Sequence, residues 1–245
     1  GMWHFYKYTG DDMEEARRLL LLSAERSPEF ASPHAALGVY AFSSTMLGFT
    51  EDRTATLEQG LRDAEKAVAL DDRDGFGHHS LGRIHTLLGD RERAIPALRK
   101  SVELSPSSVV HIFGLGYGLW WFGMAKEALP LFTRSIRSSP HDPQLWMFHY
   151  MRSLCHWARG DFEMAVEEAN AAIRVKSDEY YAHLALALAS GNLGRHDAAR
   201  AAVERACELL PRLSMAYMDL LLGALHPPYL SNWMNTLREA GLREE

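Results

Sequence analysis

The sequence predicts an all-α fold of repeated helix pairs, on three observations. A motif returns every 34 residues, apolar residues within each copy keep helical spacing, and glycine and proline recur at fixed places. Gly82, Gly89, Ala94, Leu98, Ser101 and Pro106 come back as Gly116, Gly123, Ala128, Phe132, Ser135 and Pro140, and Pro96 comes back as Pro130. Ala165, Ala169 and Ala172, preceded by Gly160, return as Ala199, Val203 and Ala206, preceded by Gly194 and followed by Pro211. Ala16, Leu20, Ser23 and Pro28 begin the series, and Gly60, Ala64, Ala67 and Asp72 fill the gap.

Taken in order, the anchors Ala16, Gly60, Ala94, Ala128, Ala165 and Ala199 are spaced by 44, 34, 34, 37 and 34 residues. The long step locates an insertion at 48–56, and the step of 37 locates a longer loop at Pro140 to Pro143. Six units follow, at 1–30, 31–73, 74–107, 108–141, 142–178 and 179–212, with a cap at 213–245; together they read as one domain over 1–245. Within a unit, Ile84, Leu87, Leu88 and then Ile95, Leu98, Val102 keep the three-and-four spacing of a buried helical stripe, and no stretch alternates long enough for a strand. Gly89, Gly123, Gly160 and Gly194 fall at the bend, where a residue without Cβ closes the first helix. Pro28, Pro106, Pro140 and Pro211 stop the second helix; Pro96 and Pro130 fall about one turn into it, where few backbone donors are lost. A helix pair of this size cannot bury its apolar faces alone, so the units must stack and the last one needs a cap. After Pro211 the sequence predicts a capping helix, a break at His226-Pro227-Pro228, and an amphipathic tail helix from about Ser231 to Ala240.

The 34-residue pattern resembles the tetratricopeptide repeat. Leu37-Gly38, Leu81-Gly82 and Leu115-Gly116 match the Leu-Gly pair of its first helix, followed by the bend glycine and then the Ala, large residue, Ala and Pro of its second. The resemblance covers about residues 3 to 211 and implies a right-handed α-solenoid of about six hairpins with capping helices. Two units depart from the pattern: the second has Gly60 where Ala is usual, and the fifth has Arg152-Ser153 in place of Leu-Gly. More narrowly, Trp3 to Ala16 with Tyr8-Thr9 before an acidic turn, the insertion after Gly48-Phe49, and Leu237 to Leu242 look like the repeat region carboxy-terminal to bacterial class III adenylate or guanylate cyclase domains and winged-helix regulators. That resemblance would let the natural chain continue upstream of residue 1; the sequence itself carries neither a cyclase's metal-binding aspartates nor a winged helix.

Composition bounds the function. Over 245 residues, a formal charge of −6 with 24% charged and 47% hydrophobic residues describes a soluble globular chain without the basic field of a nucleic-acid reader. Nothing approaches 18 consecutive apolar residues, and no basic flank leads an apolar run at the N-terminus, so neither a membrane partner nor export is expected. Cys155 and Cys207 cannot build a disulfide framework and fit a reducing, cytoplasmic compartment.

Twelve histidines raise the question of a metal or a general base. His34, His78, His149 and His183 occupy one equivalent place in four units, and His85 and His156 another. Equivalent places in a solenoid lie about 10 Å apart, whereas ligation needs convergence to about 2.0–2.1 Å of one ion. These six read as packing residues. Adjacent pairs on one helix, His78-His79 and Cys155-His156, point apart and cannot chelate together. Gly114-Leu115-Gly116-Tyr117-Gly118 lies inside a first helix rather than between strand and helix, so it is not a phosphate loop. No catalytic residue, metal or cofactor is expected.

The resemblance implies a ligand groove lined by first helices. Carried onto this sequence, its places include Phe76, His79 and Arg83, then Phe113, Tyr117, Trp120 and Trp121, then Tyr150 and Trp157, then Tyr181. That face is aromatic, although rings such as Trp120 and Trp157 can equally pack between units. The family's clamp for a peptide's terminal carboxylate uses lysines, asparagines and an arginine, and of those places only Arg83 is cationic here. The expected ligand is therefore an apolar or amphipathic segment of a protein or peptide. The first reading is a non-enzymatic scaffold; the second is a regulatory module of a larger cyclase or transcription regulator; the third is an enzyme with a site between helices. Trp3, Phe5 and Tyr6, with no helix before them, offer an edge through which two copies could pair.

Overall fold

The computed structural model of the protein describes residues 1–5, 7 and 9–245; Tyr6 and Tyr8 lie outside the described residues. Among those described there are fourteen helices and no strand. The chain forms two compact units, Gly1–Gly118 and Leu119–Glu245.

The first unit contains α1 (Met2–Phe5), α2 (Gly10–Arg26), α3 (Ala31–Met46), α4 (Arg53–Leu70), α5 (Gly75–Leu87) and α6 (Arg91–Leu104), and the division falls inside α7 (Val109–Trp121). The second holds α8 (Ala125–Ser138), α9 (Leu145–Ala158), α10 (Phe162–Val175), α11 (Tyr180–Asn192), α12 (His196–Leu209), α13 (Met215–Leu222) and α14 (Pro227–Glu239). Paired helices α3 with α4, α5 with α6, α9 with α10 and α11 with α12 pack on each other as antiparallel hairpins. At their contacts the repeated small residues Ala64, Ala94, Ala165, Ala199 and Ala206 are buried.

The bends are built alike. Gly48, Gly89, Gly123, Gly160 and Gly194 have φ of 66°, 75°, 83°, 80° and 73°, the left-handed region open to glycine. Each closes its helix with paired bonds: at Gly89, the Asp90 N–H donates to the His85 carbonyl at 3.0 Å and the Gly89 N–H to that of Thr86 at 3.2 Å. Several helix starts, but not all, are capped by side chains. Asp52 accepts from Ala55 N–H at 2.9 Å, Asp90 from Arg93 N–H at 3.1 Å and Ser214 from Tyr217 N–H at 3.1 Å.

Gly48 ends α3 just as the other bend glycines end theirs, so the extra residues follow it. Part of the insertion becomes helix: α4 has 18 residues where α6, α8, α10 and α12 each have 14. The added N-terminal turn carries Arg53. Both sequence departures have a packing reason. A Cβ at Gly60 would overlap the Ala41 Cβ and come within 2.9 Å of Ile84 Cδ1. Ser153, in place of the repeat's glycine, donates to the Ala165 carbonyl across the hairpin at 2.7 Å.

The tail helix starts earlier than expected. α14 begins on Pro227 rather than near Ser231, because proline has no N–H to lose in a first turn and its fixed φ suits it. The chain then returns past α13, where Met215 and Ala216 N–H donate to the Arg243 and Glu244 carbonyls at 2.8 and 3.1 Å, satisfying donors that a helix start leaves open.

Candidate functional site

In the first unit, α5 and α7 bring Phe76, His79, Arg83, Phe113 and Tyr117 together. Phe76, His79 and His111 form a stack, with centroids of Phe76 and His79 6.1 Å apart at 9° and of His79 and His111 5.3 Å apart at 20°. The His111 Nδ1 lies 3.2 Å from the Ser101 carbonyl. His79 is buried, and burial, then the nearby Arg83 charge and His111, hold its imidazole well below the usual range. One helical turn on, the Arg83 guanidinium lies 3.6 Å from the Phe42 ring centroid, 4.4 Å from that of Tyr117 and 5.9 Å from that of Phe113. Phe76 and Arg83 are partly exposed, whereas Phe113 and Tyr117 are buried.

In the second unit, Trp120, Trp121 and Trp157 are buried, and α14 packs on Trp120 and Trp157. Tyr229 lies 6.0 Å from Trp120 and 5.6 Å from Trp157, and Trp233 lies 6.0 and 6.1 Å from the same two rings. Polar bonds seal the contact: Trp121 Nε1 donates to the Ala224 carbonyl at 2.8 Å, and the Tyr229 hydroxyl to that of Gly123 at 3.2 Å. Tyr150 and Tyr181, on α9 and α11, stay partly exposed with centroids 5.7 Å apart, beside Trp146 and Tyr180.

The repeated histidines each have a local partner. His34 Nδ1 is 3.3 Å from Asp63, His149 Nδ1 2.8 Å from Glu168, and His183 Nε2 3.0 Å from the Ser177 carbonyl. His85 and His156 sit 3.6 Å from Asp90 and Asp161, the same contact in two repeats. Among the described residues, no three His, Cys, Asp or Glu side chains are placed to hold a metal ion. Burial pushes the Cys155 thiol far above its ordinary range, which makes it a poor nucleophile. No described helix is long and apolar enough to cross a membrane.

Two features were not singled out in the sequence. Arg53 was hidden inside an insertion whose length says nothing of its structure. Tyr229 and Trp233 were readable as a four-residue spacing on the tail helix. At the N-terminal edge, Trp3 is exposed under Lys7 Nζ, 3.7 Å from its centroid, while Phe5 is buried against Met13, Ala16 and Val39.

A helix-pair array with these bends and anchors defines a class of repeat scaffold, consistent with protein binding. Models of the tetratricopeptide repeat match residues 77–108, 113–174 and 150–213, and the chain belongs to that family. It is 32% identical over 149 residues to tetratricopeptide repeat-containing protein trd-1 of Caenorhabditis elegans, covering 60% of this chain and 17% of that protein. It is 24% identical over 155 residues to transcriptional regulator HilA of Salmonella paratyphi A, covering 61% of this chain and 28% of that protein. The matched segments thus span less than a third of either relative. Among solved structures, the thermophilic repeat protein TTC0263 of Thermus thermophilus superposes with a TM-score of 0.61 at 21% identity, over 82% of this chain and 98% of that one. PilF of Pseudomonas aeruginosa gives 0.61 at 14% identity, over 94% and 90%. At such identities the likeness speaks for the fold.

Proposed function

We propose that the chain is a non-enzymatic scaffold that binds an apolar or amphipathic peptide segment along the ring-bearing places of its first helices. The observation that carries this reading is the set of rings left partly exposed there: Phe76 beside Arg83 in the first unit, and Tyr150 with Tyr181, 5.7 Å apart, in the second. Such rings offer large contact area at small entropic cost and are the usual anchors of binding surfaces. His79, Phe113 and Tyr117, and the Trp120, Trp121 and Trp157 cluster, serve this surface from beneath by fixing the helices that present it. A displayed library of random twelve-residue peptides tests the reading. The expected outcome is enrichment of apolar or amphipathic sequences whose binding is lost when Tyr150 and Tyr181 are changed to Ala and Phe76 to Ser. Absence of enrichment, or equal binding by the variants, overturns it.

A second reading is a regulatory module within a longer protein. The similarity to a transcriptional regulator that is several times longer than the matched segment favours it. Fusing the chain's natural upstream sequence, where it has one, and measuring DNA binding or cyclase activity with and without the selected peptide distinguishes a module from a stand-alone scaffold. Pairing of two copies through the Trp3 edge belongs to the same proposal and is checked by sedimentation of Trp3→Ser against the wild type.

A further inference from the structure

We infer that His79 and His111 of the first unit form a proton-sensitive lock between α5 and α7 that seats the Phe76 ring on the binding surface, so that acid unseats the ring and weakens the hold on an apolar segment bound there. This deepens the peptide-binding reading and rests on it.

The lock is a reciprocal fit. His79 of α5 fills a notch in α7: a Cβ at Gly114 would lie 2.4 Å from its Cε1 and 2.6 Å from its Nδ1. His111 of α7 fills a matching notch in α5, where a Cβ at Gly75 would lie 3.0 Å from its Cε1. Both imidazoles are buried, and the partly exposed Phe76 ring is nearly parallel to them, 6.1 Å from His79 at 9° and 6.5 Å from His111 at 11°. Phe76 also packs against the core clusters that hold Val39 and Leu37 of α3. Its place is thus set by the apolar core of α3 and by the two imidazoles.

The fit admits one protonation state. His111 Nδ1, 3.2 Å from the Ser101 carbonyl, carries the proton that this contact needs. His79 Nδ1 lies in the Gly114 notch, buried without a hydrogen-bond partner, beside backbone whose carbonyls are engaged along the helix. The neutral ring therefore keeps its proton on Nε2, because an N–H buried with no acceptor is costly. Acid adds a proton at Nδ1, where nothing accepts it. Burial opposes a charge on both rings; Arg83, one turn along α5, and His111 add to this at His79, whereas the Ser101 carbonyl of α6 and Asp74 at the start of α5 favour a proton on His111. α3 meets Phe76 through apolar side chains. An imidazolium at His79 gains by leaving the notch for water, and its departure removes a ring on which Phe76 rests.

The test follows the full chain from pH 7.5 to 5.0 by NMR, reading the Phe76 ring, the Gly114 amide and both imidazoles, with circular dichroism as the check on helix content. We expect the Phe76 and Gly114 signals to move together with the His79 imidazole, at a midpoint below about 6.5, while helix content holds. Peptides selected at pH 7.5 whose binding needs Phe76 should bind at least about threefold more weakly at pH 5.5 than at 6.5, one proton supplying up to about tenfold per pH unit. His79→Phe, which keeps a ring in the notch without a titratable nitrogen, should abolish that loss. Titration of His79 that leaves Phe76 and Gly114 unmoved, no titration down to pH 5.0, loss of helix together with those signals, or an equal loss of affinity in His79→Phe would each overturn the lock. The wild-type NMR arm decides even where the variant folds poorly. Failure of that arm with peptide selection intact removes the lock alone; failure of the selection removes the reading beneath it.

Discussion

Trp233 meets Trp120 edge to face, with ring centroids 6.0 Å apart at 63°, so α14 closes over one of the first-helix rings. Both indoles are buried, and Leu237, one turn further along α14, is buried as well. Truncating Trp233 removes that cover and opens a void that its neighbours cannot fill. Trp233→Ala is expected to cost about 3–5 kcal/mol. The urea midpoint should fall accordingly, whereas Trp3→Ala, on an exposed ring, should move it by less than ~0.5 kcal/mol.

Acid should weaken the protein through its buried imidazoles. His79, His85 and His111 are all held below the ordinary imidazole range, in each case first by burial, with Arg83 and His111 adding to the effect on His79. Because the unfolded chain binds protons at these groups more readily, stability is fully present above about pH 6.5 and is lost as pH falls below it. Urea midpoints measured from pH 7.5 down to 5 should therefore decline. His79→Leu removes a group whose contribution reaches about 1.4 kcal/mol per pH unit, and its decline should be correspondingly shallower. An unchanged slope would place the acid sensitivity elsewhere.

The helix pairs were legible because their signals are local. A bend glycine such as Gly89 is read from the left-handed angle that its hairpin requires, and Ala94 or Ala165 from the tight approach of a neighbouring helix. The register also sufficed to name first-helix rings such as Tyr150 and Tyr181. It could not say that Trp120 would be covered, since its partner Trp233 is more than a hundred residues away and nothing local couples the two. Arg53 was illegible for another reason. An insertion shows in the spacing only as a number of extra residues, and whether they form loop or an added helical turn depends on the Asp52 cap and on what the turn packs against. The Gly60 departure from the repeat pattern is a fit to Ala41.

That fit makes a sharp prediction for a substitution that repeat statistics would recommend. Gly60→Ala restores the residue usual at this place and gains about 1 kcal/mol of helix propensity. The added Cβ, however, must occupy the space of the Ala41 Cβ and lies within 2.9 Å of Ile84 Cδ1. Ala41 has no rotamer with which to yield, so the helices must separate, and overpacking of this kind costs about 1–3 kcal/mol. The net effect should be destabilisation, read as a lower melting temperature than the wild type. A higher one would show that α3 and α4 shift apart freely.

Glu168 supports the last prediction. It is buried on α10 and faces two side chains of α9: the His149 imidazole, with Nδ1 at 2.8 Å, and the Arg152 guanidinium, with Nη2 at 3.0 Å. Arg152 stands where the repeat usually has leucine, so this unit replaces an apolar contact with an ion pair across its hairpin. Glu168→Ala leaves the Arg152 charge, itself largely covered, without its carboxylate, and such a loss costs about 3–5 kcal/mol. Glu168→Gln keeps the shape and one acceptor, and should cost clearly less. Arg152→Leu together with Glu168→Ala rebuilds the apolar contact and should recover most of the loss. Denaturant unfolding of the three variants gives the comparison. If the double variant were no more stable than Glu168→Ala, the pair would be structural in some way other than charge compensation.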